Sequence, residues 1–207
     1  MGGTGAVREE GKAMGLHIHS LGELPLETER DYYVYLLDHG WDEPLGEALR
    51  ENFHRAGGLA SRHEAVAMMG TVGSHFADEV LSWHHVNGQP ADDLLPAVLI
   101  TTRHPRQFRD APLDRKGRLD AEDFPMLLIP LDDVCETPTD VARLIERIFT
   151  DVKGQAELSE FRIAQELRAG QRGAIVDSVI LRPNVGGIGV DLTKLLRRFQ
   201  KKRAKKL

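Results

Sequence analysis

The chain has 207 residues, 41% of them hydrophobic and 29% charged, with a formal net charge of -5, enough for one domain with a full core or one domain plus an appendage. Its longest apolar runs, such as Pro96–Ile100 and Met126–Pro130, fall far short of the ~20 residues a membrane helix needs, and residues 1–30 lack the apolar block of a secretory signal. A soluble, cytoplasmic protein is therefore expected, without lipid or glycan: Ala6 stands where a myristoylation signal needs Ser or Thr, and no Asn-x-Ser/Thr acceptor occurs.

The single cysteine, Cys135, has no second thiol for a disulfide or a structural zinc site and is read as a buried small hydrophobe. Charge is unevenly placed. Lys194, Arg197, Arg198, Lys201, Lys202, Arg203, Lys205 and Lys206 form a tail without acids, and the rest of the chain holds 19 basic against 32 acidic residues. A cationic end on an acidic body suits nucleic acid or an anionic membrane surface as a partner.

Residues 1–15 are glycine-rich and aperiodic, a disordered leader. Leu16–His19 alternates as a short edge strand, and Tyr32–Leu37 is a β-rich run. Leu45, Leu49, Phe53 and Ala56 then repeat at helical spacing through Leu59, and Glu64–Met69 follows as a buried strand. A helix over about 74–85 carries Phe76, Val80 and Trp83 on one face, with Ser74 as N-cap and Asn87-Gly88 as its stop. Pro96 leads into a third strand, Ala97–Thr102; a charged excursion, 103–123, delivers a fourth at Met126–Leu131. After Thr137-Pro138 an amphipathic helix runs through Val141, Leu144, Ile145, Ile148 and Phe149. A core domain over 16–153 results. An extension over 154–193 adds a helix near Leu158–Leu167, an apolar β-rich run at Ala174–Leu181 and a hairpin around Gly186-Gly187-Ile188-Gly189, and the basic tail fills 194–207. Those glycines lack both G-x-G-x-x-G spacing and a terminal Gly-Lys-Ser/Thr, so no nucleotide cofactor is inferred.

The most informative stretch is Asp38-His39-Gly40-Trp41-Asp42-Glu43-Pro44, a polar turn between a strand and a helix, with one imidazole and three carboxylates. The order strand, helix, strand, helix, strand, strand, helix from Tyr32 to Thr150 resembles the thioredoxin-like fold. In that family a Trp precedes the first helix, as Trp41 does, and a cis proline before strand three faces the turn, as Pro96 would. The family's Cys-x-x-Cys positions hold Asp42, Glu43, Pro44 and Leu45 here, so thiol exchange cannot occur at the turn. The resemblance implies a redox-inactive interaction module that takes a protein partner or small ligand through Asp38, His39, Trp41, Asp42, Glu43 and Pro96.

A doubly wound sheet explains the same elements and resembles TIR-type and flavodoxin-like proteins. It would gather Asp38, His39, His75, Glu79 and His104 in one crevice. The TIR resemblance implies hydrolysis of an NAD-type nucleotide with Glu79 as the catalytic carboxylate; in this second fold Asp38 with His39 would serve as general acid and base. Nine histidines raise a metal hypothesis, but there is no His-Glu-x-x-His and no thiol pair, so no metal is assigned; no Gly-x-Ser-x-Gly elbow occurs either. The two folds differ in the direction of strand three, antiparallel to strand one in the first and parallel in the second; the first places a cis Pro96 beside the turn and His104 at the opposite edge, the second brings His104 to His39 and His75.

Overall fold

A computed structural model describes residues 15–40, 43–71, 75–86, 94–113, 123–170 and 180–181. A six-stranded mixed sheet has the order β1-β3-β2-β4-β5-β6, built from β1 (Gly15–Ile18), β2 (Tyr32–Leu37), β3 (Ala65–Gly70), β4 (Ala97–Thr101), β5 (Met126–Pro130) and β6 (Ile180–Leu181). β3 runs parallel to both β1 and β2; β4 runs antiparallel to β2, and β5 antiparallel to β4. The parallel sheet of the doubly wound alternative is thus not the arrangement of this chain. The peptide bond between Leu95 and Pro96, at the entry to β4, is cis.

Every residue of β2 is buried, because both faces of the sheet are covered and alternate side chains feed two cores. Tyr32, Val34 and Leu36 pack with α1 (Pro44–Glu51), α2 (Phe53–Ala60) and α6 (Pro138–Lys153). Tyr33, Tyr35 and Leu37 pack with α3 (Phe76–Trp83), a 3-10 turn at Leu21–Glu23 and Phe108 of α4 (Pro105–Arg109). The amphipathic helix expected near 141–149 is α6, and its five apolar residues are all buried. Asp140, at its third position, accepts the Thr137 N–H at 2.9 Å and closes its first turn.

Two elements differ from the sequence reading. The single helix expected over 45–59 is interrupted at Asn52, whose side-chain amide and backbone N–H both donate to the Ala48 carbonyl, the local competition with the backbone that makes Asn a poor mid-helix residue. The segment after 154 shares the main core: Leu158, Phe161, Ile163 and Ala164 join the α1–α6 layer, and Asp151 of α6 accepts the Arg162 N–H at 2.8 Å at the start of α7 (Arg162–Gly170). The excursion after β4 contains α4. Gly15, expected in the leader, belongs to β1, and of the run expected at 174–181 only Ile180–Leu181 is described; residues 1–14, Ser74, Asn87-Gly88, the glycine-rich hairpin and the basic tail lie outside the described residues.

Candidate functional site

The apolar run of β2 ends at Leu37, which pairs with Ala97, which in turn pairs with Pro130. The end of β2, the start of β4 and the end of β5 therefore share one edge of the domain. Here the 38–44 turn meets the segment leading into β4: His39 Nε2–H donates to the Leu95 carbonyl at 3.2 Å. The carbonyl of Pro96 accepts the Leu131 N–H at 2.8 Å, so the cis bond is held between the turn and α5 (Leu131–Val134).

Asp38 is the anchor of this edge. Its side chain is 8% exposed and pairs through Oδ2 with Arg50, in the last turn of α1. Oδ1 is buried without a hydrogen-bond partner among the described residues, and lies where a side chain on Gly46 would have to go. A buried carboxylate with one oxygen ion-paired is held in place by the cost of leaving its partner alone. Gly40 has φ +76°, the left-handed conformation that turns the chain into α1. Glu43 is half-exposed and occupies the N-cap, Pro44 the first helical position, where a missing N–H costs nothing.

The structure thus brings Asp38, His39 and Pro96 to one edge, with Glu43 at the helix entry beside them. Trp41 and Asp42 lie outside the described residues. Sequence reading missed Arg50 and Gly46. A signal for the first existed: Arg50 is the sole Lys or Arg between Asp38 and Asn52, in a stretch that also holds Asp42, Glu43, Glu47 and Glu51. Among the described residues the arrangement offers the His39 imidazole and the Glu43 carboxylate for recognition, and no thiolate, while Asp38 is committed to Arg50.

Cys135 follows α5 and is buried among Val141, Leu144 and their neighbours. Burial pushes its thiol up to about 11, the opposite of an activated nucleophile. Cys135→Ser is expected to cost about 1 kcal/mol of stability by burying a hydroxyl and to leave binding unchanged; thermal melts beside a binding assay check both.

The residues of the second fold are dispersed. His104 sits beyond Thr101, at the end of β4 away from the turn; its ring meets Tyr33 edge-on at 5.6 Å, Nε2–H donates to the Pro25 carbonyl, and Nδ1 accepts the Arg106 N–H. It caps α4 and does not join His39 and His75. His75 is almost fully exposed beside Asp78. Glu79 accepts the Ser20 hydroxyl at 2.7 Å and the Leu21 N–H at 2.9 Å, tying α3 to the turn after β1. His85, just beyond α3, donates from Nε2 to the Phe108 carbonyl at 3.3 Å, so Glu79 and His85 both tie this segment to its neighbours. Among the described residues no three His, Cys, Asp or Glu side chains converge to hold a metal, and no helix is long and apolar enough to cross a membrane.

No protein-family model, curated protein or solved structure matches this chain.

Proposed function

We propose that this chain is a redox-inactive thioredoxin-like module that works in the cytoplasm and binds a protein partner or small ligand at the 38–44 turn. The observation that carries the reading is the strand pattern. β2 is parallel to β3 and antiparallel to β4, β4 and β5 form an antiparallel pair, and the turn after β2 touches the segment before β4 through His39 and Leu95. That is the order and direction the resemblance implies, at the edge where it implies a site. The lack of a cysteine between Asp38 and Leu45 excludes thiol exchange at that edge, and binding is the role the resemblance then implies.

The test places a photo-crosslinking amino acid at Glu43, at the proposed edge, and in a parallel variant at Glu160, after α6. Irradiation in the source cells and mass spectrometry of the adducts should give a reproducible partner or ligand from position 43 alone. Equal adducts from the two positions, or none from 43, would sink the proposal. The nucleotide-hydrolase reading is weaker because both carboxylate oxygens of Glu79 already accept hydrogen bonds within the fold.

The basic tail supports a separate attachment to nucleic acid or an anionic surface, since neutralised phosphates release counterions. Truncation after Gln200 removes five basic residues. The full chain should bind RNA, DNA or anionic vesicles with an affinity that falls steeply between low and physiological salt, and the truncated chain should lose most of that dependence. Filter binding and vesicle sedimentation over a salt series measure it, and identical curves would end the idea.

A further inference from the structure

A cavity of about 380 Å³ opens at the far end of the sheet from the 38–44 turn, where β2 and β3 begin and β4 ends. Its volume lies within the range of small-molecule sites. The sheet order dictates how charge is distributed around it. Glu64 precedes β3 and Asp31 precedes β2, so carboxylates enter from the β3–β2 side; Arg103 and Arg106 follow β4, so guanidinium groups enter from the opposite side.

These opposite charges do not neutralise one another. The carboxylates of Asp31 and Glu64 have no hydrogen-bond or ion-pair partner among the described residues. Arg103 gives its Nε–H to the Asp123 carbonyl at 2.9 Å and lies over the Phe124 ring. Arg106 gives Nη2–H to the Gly22 carbonyl at 2.8 Å, while its Nε is buried with no partner among the described residues. These acceptors are neutral, so neither guanidinium is ion-paired through these hydrogen bonds, and Asp110, outside the cavity lining, is the acid whose carboxylate feels the Arg106 charge. The remaining charged lining residues, Glu29 and Arg30, cancel in number, and Arg30 donates to the Glu29 carbonyl. His104 adds no charge: both ring nitrogens are committed, and burial lowers its pKa below the ordinary histidine range.

A cavity with Asp31 and Glu64 on one side and Arg103 and Arg106 on the other, and with Glu29 and Arg30 adjacent in the chain on the acidic side, selects against a simple anion, which would meet the carboxylates, and against a simple cation, which would meet the guanidinium groups. We propose that it binds a zwitterion of amino-acid size, its carboxylate on Arg103 and Arg106 and its ammonium on Asp31 and Glu64. Leu26, 58% exposed on the rim, gives an apolar side chain a place to rest. The assignment is independent of the 38–44 turn.

Calorimetry of the full chain against each standard L-amino acid at low ionic strength tests it, followed by the N-acetyl and the amide derivatives of the tightest binder. At least one amino acid should bind. Removing its ammonium or its carboxylate should each weaken binding by about tenfold or more. Arg103→Ala and Asp31→Asn, both at exposed positions and each checked by thermal melting, should weaken it similarly. No heat from any amino acid overturns the proposal. So does an N-acetyl derivative or inorganic phosphate that binds as tightly as the free amino acid, because the cavity would then be an anion site.

Discussion

Gly46→Ala is expected to cost about 1–3 kcal/mol, the range for inserting a methyl group into filled space. A β-carbon there would fall closer than 3.0 Å to Asp38 Oδ1. The carboxylate has little room to retreat, because its side chain is buried and its other oxygen is paired with Arg50. Gly58 in α2 is the comparison. Nothing lies within 4 Å of a β-carbon at that position, so Gly58→Ala should raise stability by about 0.5–1 kcal/mol through its effect on the unfolded chain. Urea unfolding of the two variants should move their midpoints in opposite directions. Placing Gly46→Ala in an Asp38→Ala background tests the cause: the penalty should shrink, and an unchanged penalty would show that the carboxylate is not what the methyl group meets.

The second large effect is of pH. His84 is fully buried between the rings of Tyr35 and Phe108. Nδ1–H donates to the Val80 carbonyl at 2.7 Å, which leaves Nε2 as the unprotonated nitrogen, buried without a partner among the described residues. A proton on Nε2 would add a charge and an unsatisfied N–H to an apolar interior. Burial accordingly lowers the pKa of His84 from 6.5 to about 4. The unfolded chain therefore takes up this proton first, so the contribution of neutral His84 is complete above pH ~6.5 and is lost as pH falls towards ~4. At roughly 1.4 kcal/mol per pKa unit the total is about 3 kcal/mol. Unfolding free energies of the wild type and His84→Leu, measured from pH 7.5 to 4.5, should diverge on acidification as the wild type loses the greater share. Parallel curves would mean that His84 takes up its proton without unfolding the protein.

How far the chain could be read in advance depended on how local each signal is. β2, β5 and α6 were legible because an unbroken apolar run or a 3.6-residue stripe of five apolar residues admits few alternatives. The break at Asn52 was not, since the same residue inside a helix and between two helices leaves the same spacing on either side. Strand direction was legible only as a choice between two folds, because a strand's composition does not record the direction of its neighbour; the pairing of Leu37 with Ala97 decided it. At the candidate site Asp38 and His39 were identified from their places in the turn between a strand and a helix, and Pro96 from its match to the cis proline of the family the chain resembles. What joins them, Arg50 and the Leu95 carbonyl, lies 12 and 57 positions from Asp38 in the chain, and Gly46 gave no sign that a carboxylate occupies its missing side chain. Glu79 shows the converse. The TIR resemblance marked it as a catalytic carboxylate, and the fold uses it to secure Ser20 and Leu21.

Because β2 is apolar on both sides, burial alone cannot tell its odd residues from its even ones. Threading the strand one position out would exchange two sets of comparable greasiness. The tyrosine hydroxyls make the distinction. Tyr32 donates to the Ala156 carbonyl on one side of the sheet and Tyr33 to the Thr28 carbonyl on the other, each at 2.7 Å. In a slipped strand each hydroxyl would be carried to the wrong layer, at about 1–3 kcal/mol for every one left unpaired. Two oxygen atoms thus act as an address label on a strand whose carbon surface reads the same from either side.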